Sequence, residues 1–244
     1  MTYEELWSGG IKLLSTDRVF ALGTDAVLLS AFADKGGVKT VCDLGTGSGV
    51  IALLLAWENP RLTVDGIEIQ KESAHVARLN AEANGLSDRV RIIEADLREH
   101  RTLGGAGKYD LVISNPPYFP VGSGKSAKSE NTAIARDERM CTLADICRAA
   151  AYFTRWGGKF AIVHRPERLS ELFCEMTKNA IEPKRLRLVQ ETEGSPPNLV
   201  LVEGRRGGNP GLSIEQPLVI RDADGCQTDF INRIYRLQTG KERQ

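Results

Sequence analysis

Residues 114–119 read SNPPYF and follow directly on the apolar run YDLVI. Proline cannot extend a central β-ladder, so a strand ending in YDLVI must stop there. Asn115 precedes a proline and is held extended, while Pro116 and Pro117 fix two further φ angles. The product is a rigid corner whose Asn side-chain oxygen and Pro116 carbonyl can aim two acceptors at one spot. A second stretch, DLGTGSG over residues 43–49, joins the apolar run VKTVCDL to the run VIALLLAWE. Its glycines, Gly45, Gly47 and Gly49, let the backbone turn tightly and approach a ligand, because they carry no Cβ. The spacing is GxGxG, which differs from the GxGxxG of dinucleotide sites. No Lys-Ser/Thr follows to make it a phosphate loop.

Three acidic residues stand at matching places. Asp43 precedes the glycines and can accept hydrogen bonds from a ligand cation or from loop amides. Glu68 ends the run LTVDGIEI, 25 residues further on, where an acidic side chain can take both hydroxyls of a ribose. Asp96, in EADLRE, can take the exocyclic amino group of an adenine, with Ala95 or Leu97 flanking the ring. Singly, the glycine turn is as often a packing device, and Glu68 or Asp96 is more often a solvated strand end. At the ends of successive strands they outline a nucleoside pocket.

The elements that must position these residues alternate. GIKLLSTDRVFALG reads as two short strands and TDAVLLSAFA as a helix, with Thr24 or Asp25 as N-cap and the glycine pair 36–37 as its end. After it come VKTVCDL, LTVDGIEI, RVRIIEAD and YDLVISN as strands, with VIALLLAWE and KESAHVARLNAEANG as helices and Gly85 closing the second of these. A polar, Gly- and Lys-rich loop over 119–139 is long enough to suggest a functional segment that closes over substrate. Then follow a helix in MCTLADICRAAAYFTR, the strand GGKFAIVHR, a helix in ERLSELFCEMTKNA, the strands RLRLVQE and NLVLVEGRR, the strand QPLVIRD and the helix DFINRIYRL. Alternation of this kind implies an α/β fold with a mostly parallel sheet covered on both faces. The division expected is 1–36 as N-terminal strands and helix on the cofactor side, 37–204 as core, and 205–244 as a C-terminal strand and helix of the same single domain.

With DLGTGSG, Glu68, Asp96 and NPPY in this order and spacing, the chain resembles the class I S-adenosylmethionine-dependent methyltransferases over about residues 24–204. The resemblance implies a Rossmann-like, seven-stranded sheet in the order 3-2-1-4-5-7-6 with the last strand antiparallel. It implies S-adenosylmethionine as cofactor and S-adenosylhomocysteine as product. The cofactor set would be Asp43, Leu44, Gly45, Thr46, Gly47, Gly49, Glu68, Ile69, Asp96, Leu97 and Asn115. The corner Asn115, Pro116, Pro117 and Tyr118 would face the methyl group. Two acceptors suit a planar NH2 group, whose lone pair is otherwise delocalised, and accepting both hydrogens localises that pair for attack. Catalysis would then be positioning and electrostatics. Tyr118 would stack on the flat acceptor, and Phe119 would line the same slot. The motif serves adenine N6 and glutamine N5 alike.

A closer resemblance lies in LLSTDRVFALGTDAVLLSAFA, in NPPYF with the polar loop and the Ala135-Arg136 pair, and in FAIVHRPERLSEL. These are similar to the bacterial methyltransferases that modify N6 of adenosine 37 in valine tRNA. That resemblance adds Thr24 and Asp25 to the cofactor side and makes tRNA the expected partner. An anticodon-loop adenine is not locked in a duplex and swings out at modest cost. The glutamine-methylating relatives carry a helical domain before the glycine turn, and only about forty residues precede Asp43 here. Residues 1–118 hold 12 Lys+Arg against 16 Asp+Glu, and residues 119–244 hold 20 against 16. The basic excess makes Lys125, Lys128, Arg136 and Arg139 in the loop candidates for phosphate contacts, with Lys184, Arg185, Arg187, Arg205 and Arg206 beyond it. Other targets of the same reaction, ribosomal RNA or DNA, protein glutamine methylation, and a non-catalytic binding module remain open alternatives.

The remaining features are bland. The chain of 244 residues has zero formal net charge and no apolar run long enough for a membrane span. Its five cysteines include no CxxC pair, which suits a reducing compartment and no zinc site. His75, His100 and His164 lack metal-ligand spacing, with His164 the one that could face a substrate mouth. A cytoplasmic monomer with no metal and no membrane attachment is the expectation.

Overall fold

The structure, a computed structural model, describes residues 2–7, 9–15, 23–117 and 141–237. A hairpin of β1 (Thr2–Glu5) and β2 (Lys12–Ser15) precedes helix α1 (Thr24–Phe32). There follow β3 (Thr40–Leu44), α2 (Val50–Glu58), β4 (Thr63–Glu68), α3 (Lys71–Ala83), β5 (Val90–Glu94) and β6 (Tyr109–Ser114). The second half holds α4 (Leu143–Phe153), β7 (Thr154–His164), α5 (Leu169–Lys178), β8 (Ile181–Thr192), β9 (Leu199–Arg206), β10 (Ser213–Ile214), β11 (Leu218–Arg221) and α6 (Asp229–Leu237).

The main sheet runs β5-β4-β3-β6-β7-β9-β8, and β10 and β11 both pair with β8. Strands β3 to β7 are parallel, and β9 lies antiparallel between β7 and β8. Among the described residues the sheet therefore has nine strands where seven were expected. The two extra strands are short pieces laid parallel on the β8 edge. Covering that edge hides backbone groups that would otherwise invite pairing with another chain.

The central strands read as unbroken apolar runs because both of their faces are buried. Val41, Leu111, Ile113, Ala161 and Val163 join the core under α1, α2, α3 and α6. Their neighbours Cys42, Leu44, Val112, Phe160 and Ile162 join the core under α4 and α5. Period-two alternation sends successive side chains to opposite layers.

Several local expectations are corrected. Gly23, not Thr24 or Asp25, is the N-cap of α1, and no side chain caps that helix. The helix ends at Phe32, ahead of the glycine pair. Helix α4 stops at Phe153, where the Thr154 hydroxyl donates to the Ala150 carbonyl at 2.6 Å and β7 begins. Strand β8 starts four residues before Arg185 and passes through Pro183, which is tolerated because the register shifts there. The second short strand expected near residues 18–22 falls outside the described residues, as does the loop over 119–139.

Two asparagines on α3 tie the N-terminal hairpin to the sheet. Asn80 is fully buried; its Oδ1 accepts the Leu14 N–H at 2.7 Å, and its Nδ2 donates to the Ser48 carbonyl at 2.9 Å. Asn84 makes the matching pair with both backbone groups of Lys12. One side chain thus links β2, α3 and the glycine turn. Asn80→Ala leaves a buried donor and a buried acceptor without partners, and a loss of about 2 kcal/mol is expected. Urea denaturation of the two proteins measures it.

Candidate active site at the carboxyl edge of the sheet

The parallel pairing places Leu44 beside Ile67 on one side and Ser114 on the other, so β3, β4 and β6 end together. The glycine turn, Glu68 and Asn115 leave from these ends, and Asp96 follows β5. Asp43, Glu68, Asp96 and Asn115 thus share one edge, where open α/β sheets bind ligands.

The glycine turn folds back over β4. The amides of Gly45 and Thr46 both donate to the Ile67 carbonyl, at 2.9 and 3.0 Å. Gly45, Gly47 and Gly49 all have positive φ, at 70°, 57° and 85°. Their roles divide. A Cβ at Gly45 or Gly47 would meet nothing within 4 Å, whereas one at Gly49 would lie 3.2 Å from the Ala77 Cβ. The first two leave room beside the turn, and Gly49 lets α2 pack on α3. Gly66 in β4 has a related task, because a Cβ there would crowd the Thr46 side chain at 2.8 Å.

Glu68 is buried, and both of its oxygens accept backbone amides: Oε2 from Gly47 and Oε1 from Gln70, each at 2.8 Å. The residue read as a ribose acceptor also fixes the turn. Asp43 is 1% exposed; its Oδ2 accepts the Thr46 hydroxyl at 2.6 Å, and its Oδ1 has no hydrogen-bond partner. Burial pushes its carboxyl up to about 7, the Thr46 hydroxyl pulls partly back, and the Glu68 charge adds to the rise. Asp96 caps the 3₁₀ helix Leu97–Leu103 by accepting the Arg98 N–H at 2.9 Å. Its carboxylate is also gripped by the Arg98 guanidinium, which holds it below the usual carboxylate range. Leu44 is buried, Leu97 is partly buried against the same core, and Ile69 is exposed. Thr24 and Asp25 form the half-buried first turn of α1.

At the corner, the Ser114 hydroxyl donates to the Leu44 carbonyl at 2.9 Å and couples the end of β6 to the start of the glycine turn. Asn115 is half-buried, Pro116 buried and Pro117 exposed. Tyr118, Phe119, Lys125, Lys128, Arg136 and Arg139 lie outside the described residues.

The other basic candidates do not gather here. Arg185 pairs with Glu203 and Glu215 and lies over the Phe32 ring, and Arg187 lies over Phe230. Lys184 donates to the Asn209 carbonyl. Arg205 and Arg206 end the antiparallel strand β9 and so sit at the opposite edge of the sheet, beside the start of β7. These residues serve the fold. His164 ends β7 buried; its Nδ1 accepts the Arg165 N–H, and burial lowers its pKa to about 4, so the ring is neutral at pH 7. Sequence reasoning missed Ser114, Asn80 and Arg98. Asn80 had a signal, being polar on the face of α3 marked by Ala74, Ala77 and Ala81. Among the described residues no group of three or more His, Cys, Asp or Glu could hold a metal ion, and no helix is long and apolar enough to cross a membrane.

A family model described as the methyltransferase small domain matches residues 14–172. The chain is 33% identical over 209 residues to the tRNA1(Val) (adenine(37)-N6)-methyltransferase of Aeromonas hydrophila subsp. hydrophila, covering 85% of each. It is 36% identical over 191 residues to the protein of the same name from Porphyromonas gingivalis, covering 75% of this chain and 74% of that one. Among solved structures it is similar in fold to a predicted O-methyltransferase, protein Atu636 from Agrobacterium tumefaciens, with a TM-score of 0.72 at 21% identity over 88% of this chain and 96% of that one. Fold and site define an S-adenosylmethionine-dependent methyltransferase. The chain belongs to the methyltransferase small domain family.

The residues fit that cofactor. The left-handed Gly45 and Gly47 have open space beside them, and the buried Oδ1 of Asp43 awaits a donor. Because the Asp43 carboxyl rises from 3.8 to about 7 on folding, the folded chain holds a proton that the unfolded chain releases in that window. Stability from this group is therefore lost as pH rises through the window, and the whole penalty stands above about pH 7. In Asp43→Asn that slope should vanish. The melting temperature of the variant relative to the parent should climb between pH 5 and pH 8, while affinity for S-adenosylhomocysteine falls more than about tenfold. Scanning calorimetry and titration calorimetry check the two halves.

Proposed function

We propose that the chain transfers a methyl group to the exocyclic N6 of an adenine in tRNA, at adenosine 37 of valine tRNA. The observation that carries this reading is the Asn115-Pro116-Pro117 corner, joined to the glycine turn through Ser114 and Leu44. The names of relatives that match most of the chain support the choice of substrate.

S-adenosylmethionine, when bound, supplies an electrophilic methyl group on a sulfonium. Asp43 and the open space beside Gly45 and Gly47 take its amino-acid end, with Thr24 and Asp25 alongside. Glu68 takes the ribose and Asp96 the adenine amino group, with Ala95 or Leu97 flanking that ring and Ile69 on the cofactor side. The Asn115 side-chain oxygen and the Pro116 carbonyl accept the two hydrogens of the target N6 and raise its lone pair out of conjugation. Tyr118 stacks on the target base, Phe119 lines the same slot, and Lys125, Lys128 and Arg136 take phosphates. No general base need act before transfer, since the proton leaves once the nitrogen is positively charged. The neutral His164, buried behind the corner, adds no charge at physiological pH.

Asn115→Ala should lower turnover by at least about a hundredfold, the scale of losing one aimed polar group at a reacting centre. Its affinity for S-adenosylhomocysteine should stay within about twofold, since the corner acts on the acceptor. The substrate is tested by tritium transfer from labelled S-adenosylmethionine, with tRNA from a strain lacking the gene and purified release factors offered side by side. Label in N6-methyladenosine from tRNA is expected. Label in protein would replace this reading with glutamine methylation, and label only in ribosomal RNA or DNA would move the substrate within the same chemistry.

A further inference from the structure

One arginine engages both oxygens of the Asp96 carboxylate. Its Oδ1 accepts the Arg98 backbone N–H at 2.9 Å and the Arg98 Nε at 3.0 Å. Its Oδ2 accepts Nε at 2.9 Å and Nη2 at 2.5 Å. Three N–H groups of one neighbouring arginine thus cover both oxygens, the Nε hydrogen being shared between them, against the roughly four lone-pair sites of a carboxylate. An adenine amino group that hydrogen-bonds to Asp96 shares those oxygens with the guanidinium and competes with it. The guanidinium is the part that can yield, because Arg98 is 45% exposed while Asp96 is 19% exposed. The backbone N–H bond survives any swing of the side chain, so the 3₁₀ helix keeps its cap. Where it stands, the guanidinium is within electrostatic reach of Asp145 and Cys141. Asp145 already holds Arg148 and the Thr142 hydroxyl and amide, so it offers a released Arg98 little.

We propose that Arg98 is a positioning residue that competes with the cofactor's adenine for Asp96 and, once displaced, presents its charge to a phosphate of the RNA substrate. This rests on the cofactor and RNA reading above. Cofactor and RNA then bind with positive coupling. The cofactor releases the cation that the RNA uses, and by linkage each ligand tightens the other by the same factor. A guanidinium matches a phosphate as well as it matches a carboxylate, which makes the exchange one of like for like.

The first arm of the test uses no RNA. S-adenosylhomocysteine is titrated calorimetrically into the full chain and into Arg98→Ala at about 50 and 300 mM KCl. Salt screens an exposed ion pair that must be given up. The parent should therefore bind about two- to fivefold tighter at high salt. Arg98→Ala should bind about that much tighter at low salt and change little with salt. Arg98→Lys, which keeps the charge without the fork, should lie between. Unchanged or weaker binding by Arg98→Ala, with the parent's salt response, overturns the competition; equal melting temperatures exclude a folding artefact. The second arm measures affinity for valine tRNA transcript with and without S-adenosylhomocysteine. A tightening by cofactor that Arg98→Ala abolishes supports the coupling. Equal tightening in both proteins overturns it. No tRNA binding by the parent, with the first arm intact, overturns the RNA reading and with it the phosphate role, and leaves the competition for Asp96 standing.

Discussion

A buried carboxylate with two backbone amides on it organises this molecule's chemistry. Glu68 sits at the end of β4 and accepts Gly47 with one oxygen and Gln70 with the other. An isolated buried carboxylate would be costly, and amide donors are what make it tolerable. Meeting that need sets the path of the glycine turn, because the Gly47 amide can reach Glu68 only if residues 45–49 fold over β4. The left-handed φ values at Gly45 and Gly47 follow from this path, and so does the pair of amides on the Ile67 carbonyl. Asp43 is then covered by the turn it precedes. The helix that follows must start close against Ala77, which only glycine at position 49 allows.

The same sheet treats its two edges differently. At the amino edge, polar groups are matched to one another: Asp110 takes the amides of Lys39 and Thr40 and pairs with Arg155, while Asp65 takes Arg91, Lys108 and the Tyr109 hydroxyl. Arg185, with Glu203 and Glu215, does the same at the β8 side. The carboxyl edge contains the orphaned oxygen of Asp43 and the exposed Ile69. An unmatched buried acceptor at the strand ends is what a ligand's donor can use, and stability is the usual cost.

Much of this was legible from residue types and spacing. The helices Val50–Glu58 and Asp229–Leu237 match the apolar runs read from the sequence, and the strands β3 to β6 fall within theirs. Local pattern decides those elements, and the acidic residues at strand ends follow from the order of the strands. Pattern gives no access to what depends on distant partners. Arg185, Arg205 and Arg206 looked like free cations in a basic segment, yet their partners come from residues far off in the chain, and an antiparallel strand carries two of them to the wrong edge. The strand read as RLRLVQE begins earlier, at Ile181, because the register shift that accommodates Pro183 is a property of the pairing. Glu68 was read for its ligand alone. Its grip on Gly47 depends on the three-dimensional course of the turn.

Asp43 shows why such a site can be both costly and retained. Burial lifts its carboxyl towards neutrality, so near pH 7 the cofactor-free protein divides between a protonated form and a charged form with an unmatched oxygen. Neither is comfortable, and replacing the residue with a neutral one would relieve the free protein. A cationic ligand changes the ranking. An ammonium group beside Oδ1 supplies the missing donor and an opposite charge together, which favours the ionised form and draws the carboxyl back towards its ordinary range. A ligand that carries such a group would offset the cost of burying Asp43. Selectivity follows as well, because a neutral ligand that offers no donor leaves the penalty in place. The glycine turn, by enclosing Asp43 instead of exposing it, converts an ordinary carboxylate into a test for the charge of what binds.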